Sequence, residues 1–227
     1  MVLKPEPIFD CVESLGIAPK SSRDTARQTA ILLSAQGKRF TQATARRLAT
    51  MDRVVLICGR YEGVDERVSQ LLCDEELSIG DYVLSGGELA AAVIIDSVVR
   101  LLPGVLGHAD SSRYESFGED DASITTNPGA PCPDSGTWDS TEPNSQDPPR
   151  ATHASGGLLD YPHYTRPAEF RGVAIPEVLA EGDHAAVRRW RRQAALAKTL
   201  ANRPDLLVDA DLSDDDREFL AGLTTGE

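Results

Sequence analysis

Metal-binding spacing is missing from this sequence. The four cysteines, Cys11, Cys58, Cys73 and Cys132, form no C-x-x-C pair, and the four histidines do not cluster. A zinc site is not expected, and no disulfide framework is demanded. No run is apolar for long enough to cross a bilayer: the longest, Leu89–Leu102, is broken by Asp96 and Arg100. The opening Met-Val-Leu-Lys-Pro-Glu-Pro lacks the apolar segment of a secretory signal, so the cytoplasm is the default location. Positive charge is scarce overall, and a net charge of -13 argues against general nucleic-acid affinity. Two nucleotide fingerprints are absent as well. No glycine turn is followed by Lys and Ser or Thr, as a P-loop requires, and G-x-G-x-x-G does not occur.

What is present centres on two glycine turns, Gly59-Arg60-Tyr61-Glu62-Gly63 and Ser85-Gly86-Gly87-Glu88. Each follows a strand-like run, Val54–Ile57 or Asp81–Leu84, and leads into a helix-like segment. Strand, glycine turn, helix brings backbone N–H groups close to a small ligand. Glu62, Asp65, Glu66 and Glu88 crowd the turns with negative charge, which repels phosphate and suits a cationic or neutral ligand. A single such turn reads more readily as an ordinary α/β connection. Two of them flanking Ser78-Ile79-Gly80-Asp81-Tyr82 are more specific.

Periodicity organises the rest. Met1–Leu15 reads as a loop and helix, Thr29–Ser34 as a strand, Ser34–Gly37 as a turn, and Thr41–Met51 as a helix. A helix over Glu62–Cys73, a strand over Ser78–Leu84 and a helix over Gly87–Leu102, stopped by Pro103-Gly104, follow. Charge is uneven. Gly118–Pro149 holds seven acidic residues and no Lys or Arg, while Asp183–Arg203 holds six basic residues and one acidic one. Proline-rich, with almost no aliphatic side chains, Gly118–Ser155 cannot bury enough apolar area to offset the entropy of ordering it. In the C-terminal stretch Asp183 caps a helix running to about Ala201. Its arginines, with Trp190 among them, read equally as a solvated basic face or as a surface for RNA backbone. Asp205–Glu218 reads as a solvated closing helix.

The motifs CGRYEGVDERV (Cys58–Val68), SIGDYVLSGGEL (Ser78–Leu89), IDSVVRLLPGVLGH (Ile95–His108), GLLDYPHYTRP (Gly157–Pro167) and GDHAAVRRWRR (Gly182–Arg192) resemble the bacterial tRNA (guanine-N1)-methyltransferases, the TrmD family. The likeness spans most of the chain outside a central segment. It implies an α/β fold of the SPOUT class, a deep trefoil-knot domain with a parallel sheet, followed by a small all-helical C-terminal domain. The implied organisation is a methyltransferase domain over 1–115, an acidic linker insertion over 116–156 and a helical tRNA-binding domain over 157–227. Relative to the family, a strand, a helix and a Gly-rich loop that precede the position of Met1 are missing. A start codon assigned too far downstream is the favoured explanation, with truncation of the gene as the other.

The resemblance implies methylation of the guanine 3′ of the anticodon, with S-adenosylmethionine as donor, Mg2+ as an accessory ion, tRNA as substrate and a homodimer with composite sites. Donor contacts would fall to Leu32, Leu33, Ser34, Gly59, Tyr61, Glu62, Ile79, Gly80, Tyr82, Leu84, Gly86 and Gly87. Ala90 stands where the family has Pro. RNA contacts would fall to Arg188, Arg189, Arg191 and Arg192. The general base would be Glu115, where the family has Asp, with Arg100 as its cationic partner and Asp110 as the alternative acid. Taken alone, Arg100 reads as an i,i+4 partner of Asp96, and Glu115 as a charge at the edge of the linker. Two other functions stay open: a non-catalytic RNA-binding relative, and a SPOUT methyltransferase acting on another RNA.

Overall fold

The computed structural model describes residues 1–105 and 157–224. Strand β1, Gln28–Arg39, carries the unbroken apolar run Ala30-Ile31-Leu32-Leu33. A strand that is apolar on both faces must be covered on both. Ala30 and Leu32 point into one core with Phe9, Val12, Val68 and Leu72, while Ile31 and Leu33 point into a second core with Leu48, Leu77, Ala91 and Ile94. β1 is the central strand of a three-stranded parallel sheet, between β2 (Arg53–Cys58) and β3 (Glu75–Ser78). Parallel neighbours need crossovers. Helix α2 (Gln42–Ala49) connects β1 to β2, and α3 (Glu66–Leu71) connects β2 to β3. Helix α1 (Pro5–Ser14) packs beside α3 on the first face, and α4 (Glu88–Val99) beside α2 on the second. The expected α/β class with a parallel sheet is what the chain adopts. No helix among the described residues is long and apolar enough to cross a membrane.

Beyond the linker, α5 (His184–Asn202) and α6 (Asp214–Thr224) enclose a third core around Leu158, Ala195 and Leu196, which Phe219 and Leu220 join. Asp183 accepts hydrogen bonds from the Ala185 and Ala186 amides at 2.8 and 3.1 Å, the cap expected of it. Ser213 and Asp216 form a reciprocal capping box for α6. This part is not all-helical. Strands β4 (Glu169–Phe170) and β5 (Val173–Ala174) form an antiparallel pair. Arg171 and Gly172 turn the pair at φ 51° and 79°, the left-handed geometry of a two-residue hairpin. Phe170 holds the pair down, meeting Phe9 edge-on at 4.9 Å.

Three elements differ from expectation. The stretch 34–37 is not a free turn but part of β1, where the register against β3 shifts between Leu33 and Lys38. A Cβ on Gly37 would lie 2.6 Å from the backbone of Glu76 and Leu77, so only glycine lets the bulge lie this close. Helix α3 starts at Glu66 rather than Glu62, because Tyr61 and Gly63 sit at φ 61° and 108° and Asp65 caps the helix. The third strand is Glu75–Ser78 and ends where Ser78–Leu84 was expected to begin. Its polar residues are matched from outside the sheet: Glu75 by Arg47 at 2.6 Å, Glu76 by the Ser69 hydroxyl.

Asp65 and Arg67 join the two parts. Both are fully buried. Asp65 Oδ1 accepts from Arg67 Nε at 2.8 Å, and Oδ2 accepts from Arg67 Nη2 at 2.9 Å and from the Thr165 amide at 2.7 Å. Arg67 Nη2 also donates to the Thr165 carbonyl at 2.8 Å, and the Glu66 amide to the His163 carbonyl at 2.8 Å. The Asp65 carboxylate holds the Arg67 guanidinium firmly charged. Removing one member of such a pair strands the other's charge. Asp65→Asn is therefore expected to cost about 3–5 kcal/mol. Urea unfolding of Asp65→Asn, Arg67→Met and the double variant checks this: the double loss should be well below the sum of the singles, and single losses under about 1 kcal/mol would show the pair to be dispensable.

Candidate functional site

In a parallel sheet the ligand-binding edge lies outside the carboxyl ends of the strands. Three loops gather at that edge here. The β1 bulge begins at Ser34, the first glycine turn follows β2 at Gly59, and Ile79-Gly80 follows β3. The register sets Leu33 opposite both Cys58 and Leu77, so the three strands reach the edge together.

The two glycine turns are fastened to each other. The Gly87 amide donates to the Gly59 carbonyl at 3.0 Å, and Arg60 forms an antiparallel bridge with Gly86. Arg60 and Glu88 add an ion pair at 2.6 Å across the same junction. A Cβ on Gly87 would lie 2.9 Å from Cys58 Cα, a backbone atom that cannot move aside. A Cβ on Gly86 would meet the side chains of Glu88 and Arg60, which can. Burial, with Glu88 nearby, pushes the Cys58 thiol up, so this wall is neutral. Glu88 is held below the usual carboxylate range by its own backbone amide and then by Arg60.

The expected crowd of negative charge is largely compensated. Asp65 is enclosed by Arg67, Glu88 faces Arg60, and Glu66 meets Lys198 at 3.1 Å. Burial still raises the Glu66 carboxyl against the pull of Lys198. The edge is less anionic than composition suggests. The reason is long-range: Lys198 lies 132 residues beyond Glu66.

Of the expected donor-contact residues, Gly59, Tyr61 and Glu62 lie in the first turn, and Gly86 and Gly87 in the second. Ile79, Gly80, Tyr82 and Leu84 lie in the segment between β3 and α4, with Tyr61 and Tyr82 exposed. Leu32 and Leu33 have their side chains in the two cores, so only their backbone is available to a ligand; Ser34 opens the bulge. Arg100 is half-buried at the C-cap of α4, its amide donating to the Asp96 carbonyl at 3.3 Å. Glu115, Asp110 and the 116–156 linker lie outside the described residues.

The α5 arginines divide. Arg188 and Arg189 are exposed near the helix start. The Arg191 guanidinium lies over the Tyr161 ring, 4.7 Å from its centre. Arg192 faces inward to Asp216 at 2.9 Å and holds that carboxyl down at about 2. Arg192 is therefore a structural cation, unlike the exposed Arg188 and Arg189. Its spacing relative to its neighbours did not reveal this, because the partner sits on α6.

Two residues that the sequence did not single out reach the site from the end of α5. Asn202 donates to the Gln36 carbonyl at 3.0 Å, and Arg203 grips Asp81 at 2.5 Å. Among the described residues no group of three or more His, Cys, Asp or Glu side chains is placed to hold a metal ion.

The turn geometry yields a ranking. Gly87→Ala should destabilise the chain by about 1–3 kcal/mol and separate the turns, whereas Gly86→Ala should cost clearly less. Thermal unfolding of the two variants decides it, and equal losses would mean that the Gly87–Cys58 approach does not govern the junction.

Comparison with known proteins identifies the family. The family model described as tRNA (Guanine-1)-methyltransferase TrmD matches residues 1–128 and 141–209. The tRNA (guanine-N(1)-)-methyltransferase of Koribacter versatilis is 52% identical over 227 residues, all of this chain and 77% of the relative. That of Heliobacterium modesticaldum is 45% identical over 221 residues, 97% of this chain and 68% of the relative. That of Geobacter metallireducens is 45% identical over 226 residues, covering 75% of the relative.

Proposed function

The chain belongs to the tRNA (guanine-1)-methyltransferase TrmD family, and from that premise we infer that it methylates N1 of a guanine in tRNA, the one 3′ of the anticodon. The observation that carries the reading is the pair of glycine turns locked together at the carboxyl edge of a parallel sheet. In this reading the turns would hold a small ligand by their backbone, with the Ser34–Gly37 bulge of β1 at the same edge. S-adenosylmethionine fits this chemistry: it supplies an electrophilic methyl group on a sulfonium centre, and the compensated, weakly anionic edge accepts a cation without attracting phosphate. Backbone groups of Gly59, Ile79, Gly80 and Gly86 would hold it, with Tyr61 and Tyr82 at the rim. The tRNA substrate places the work of the enzyme in the cytoplasm.

Guanine N1 carries a proton and is a poor nucleophile. A carboxylate must take that proton as the methyl group arrives, and a fixed cation must offset charge developing on O6. Glu115 is the proposed base and Arg100 the proposed cation, because a planar guanidinium suits a carbonyl oxygen. Family likeness supports the pair, together with the place of Arg100 at the end of α4. Arg188 and Arg189, with Arg191 beside them, would follow the RNA backbone.

Two features of assembly belong to the same reading. The exposed side of α4 carries Leu89, Val93, Ile95 and Val99, an apolar strip beside the second glycine turn. A second copy of the chain is its proposed occupant, giving a homodimer whose sites are composite. Ile95→Glu should convert a dimer to a monomer by light scattering at micromolar concentration; a parent chain already monomeric there removes the proposal. A SPOUT-type threading of the chain at this edge rests on family membership, and a backbone trace from a crystal structure decides it.

Single-turnover methylation of a tRNA transcript tests the chemistry, with donor binding measured alongside. Glu115→Gln should lose roughly 10²–10⁴-fold in rate while still binding donor. Glu115→Asp reports whether the extra methylene displaces the base, since about 1 Å can cost on the order of a hundredfold. A parent-like rate in Glu115→Gln contradicts the assignment, and an inactive Asp110→Asn beside it transfers the role to Asp110.

A further inference from the structure

A recess of about 510 Å³ lies between the segment 161–168 and the first half of α5. It is separate from the glycine turns, and methyl transfer does not account for it. Its floor is apolar, from Ile175, Leu179 and Val187. Its walls are aromatic: Tyr161, Tyr164 and Trp190 all line it and all are half-buried. Trp190 is one of only two tryptophans in a chain that is 5% aromatic, so this clustering is not background composition.

Both walls are held in place. The Leu159 amide donates to Thr199 Oγ1 at 3.0 Å, and Thr165 is fixed by Asp65 and Arg67. The segment between these anchors therefore has a set position against α5. Tyr164 and Trp190 stand with ring centres 6.3 Å apart. The stacked Arg191–Tyr161 pair offers a broad, partly cationic face. Arg166 lines the rim, and Arg188 and Arg189 stand exposed on the adjoining turn of α5. Two of the nearby acids are already engaged. Asp160 pairs with His163 at 2.9 Å, and Asp183 accepts two helix amides. In a chain of net charge -13, this rim presents three arginines, and of the acids beside it Asp160 and Asp183 are satisfied locally.

An apolar slot with aromatic walls and a cationic rim matches one ligand class. A nucleobase stacks on aromatic faces and arginine planes, while its phosphate stays at the rim. We propose that this recess is a nucleobase subsite that holds an unstacked base of the RNA substrate flanking the methylated guanine. The proposal rests on the methyltransferase reading for the identity of the RNA. The recess adjoins the elbow that follows the first glycine turn, because the His163 carbonyl binds the Glu66 amide. A base held there would fix the register of the loop whose guanine reaches the donor edge. Stacking would favour an unpaired base over a duplex, a discrimination that backbone contacts by the exposed arginines alone do not supply.

The test uses the full chain with Trp138→Phe, which leaves Trp190 as the only tryptophan. Its fluorescence is titrated with an anticodon stem–loop RNA and with a blunt duplex of the same stem. Saturable quenching by the stem–loop, and at least about tenfold weaker quenching by the duplex, is expected. Tyr161→Ala should weaken stem–loop binding roughly 5- to 100-fold without changing its salt slope, and Tyr161→Phe should restore it. Arg188→Ala with Arg189→Ala should instead flatten the salt slope by about one to two units. If Tyr161→Ala fails to fold, as melting would report, the Trp190 titration in the parent background still decides. Binding of the stem–loop with unchanged Trp190 emission, or equal quenching by the duplex, overturns the subsite. Methylation retained without quenching rejects the subsite alone. Quenching without methylation supports it and counts against the catalytic reading instead.

Discussion

A buried ion pair between two residues of one helix start holds this molecule together. Asp65 and Arg67 have no exposed surface, and between them they satisfy the amide of Thr165 and the carbonyls of Thr165 and Val173. A buried charge pair is tolerable only when its remaining hydrogen-bonding capacity is filled, and here backbone from the far side of the linker fills it. The pair and the 163–173 segment thus require each other. This sets the C-terminal third against the sheet, next to the turn that leaves β2.

Further polar contacts fasten α5 along the same side. Lys198 sits between Glu66 and Glu76, Asn202 holds the β1 bulge, and Arg203 binds Asp81 while Asp205 steadies it. The helix that carries the exposed arginines at its start therefore touches, at its end, two of the three loops at the carboxyl edge of the sheet. Arg203, like Arg67, serves two acceptors at once through its planar fork. The glycine turns depend on a different constraint, the close approach of Gly87 to Cys58, which is steric rather than electrostatic.

Local pattern made part of this legible. The apolar run of β1, the Asp183 cap and the start of α2 at Thr41 all follow from neighbouring residues. The carboxyl edge of the sheet was legible as paired glycine turns. What was hidden depended on partners distant in sequence. Asp65 read as one of the acids crowding the glycine turns because Thr165 lies 100 residues away. The strand Glu75–Ser78 was not assigned, and its polar residues are matched by Arg47 and Ser69 from other elements. Arg192 looked like a member of a basic face because Asp216 is on another helix. The positive φ of Tyr61, which delays α3, has no signature in residue type.

The central claim is that the elbow pair clamps the post-linker segment to the sheet, and amide hydrogen exchange tests it most directly. If the clamp holds, the amides of Thr165 and Glu66 exchange only through global unfolding, with protection matching that of Ile31 and Leu32 in β1. If those two amides exchange as rapidly as those of exposed loops while β1 stays protected, the segment is not held by the pair and the account fails.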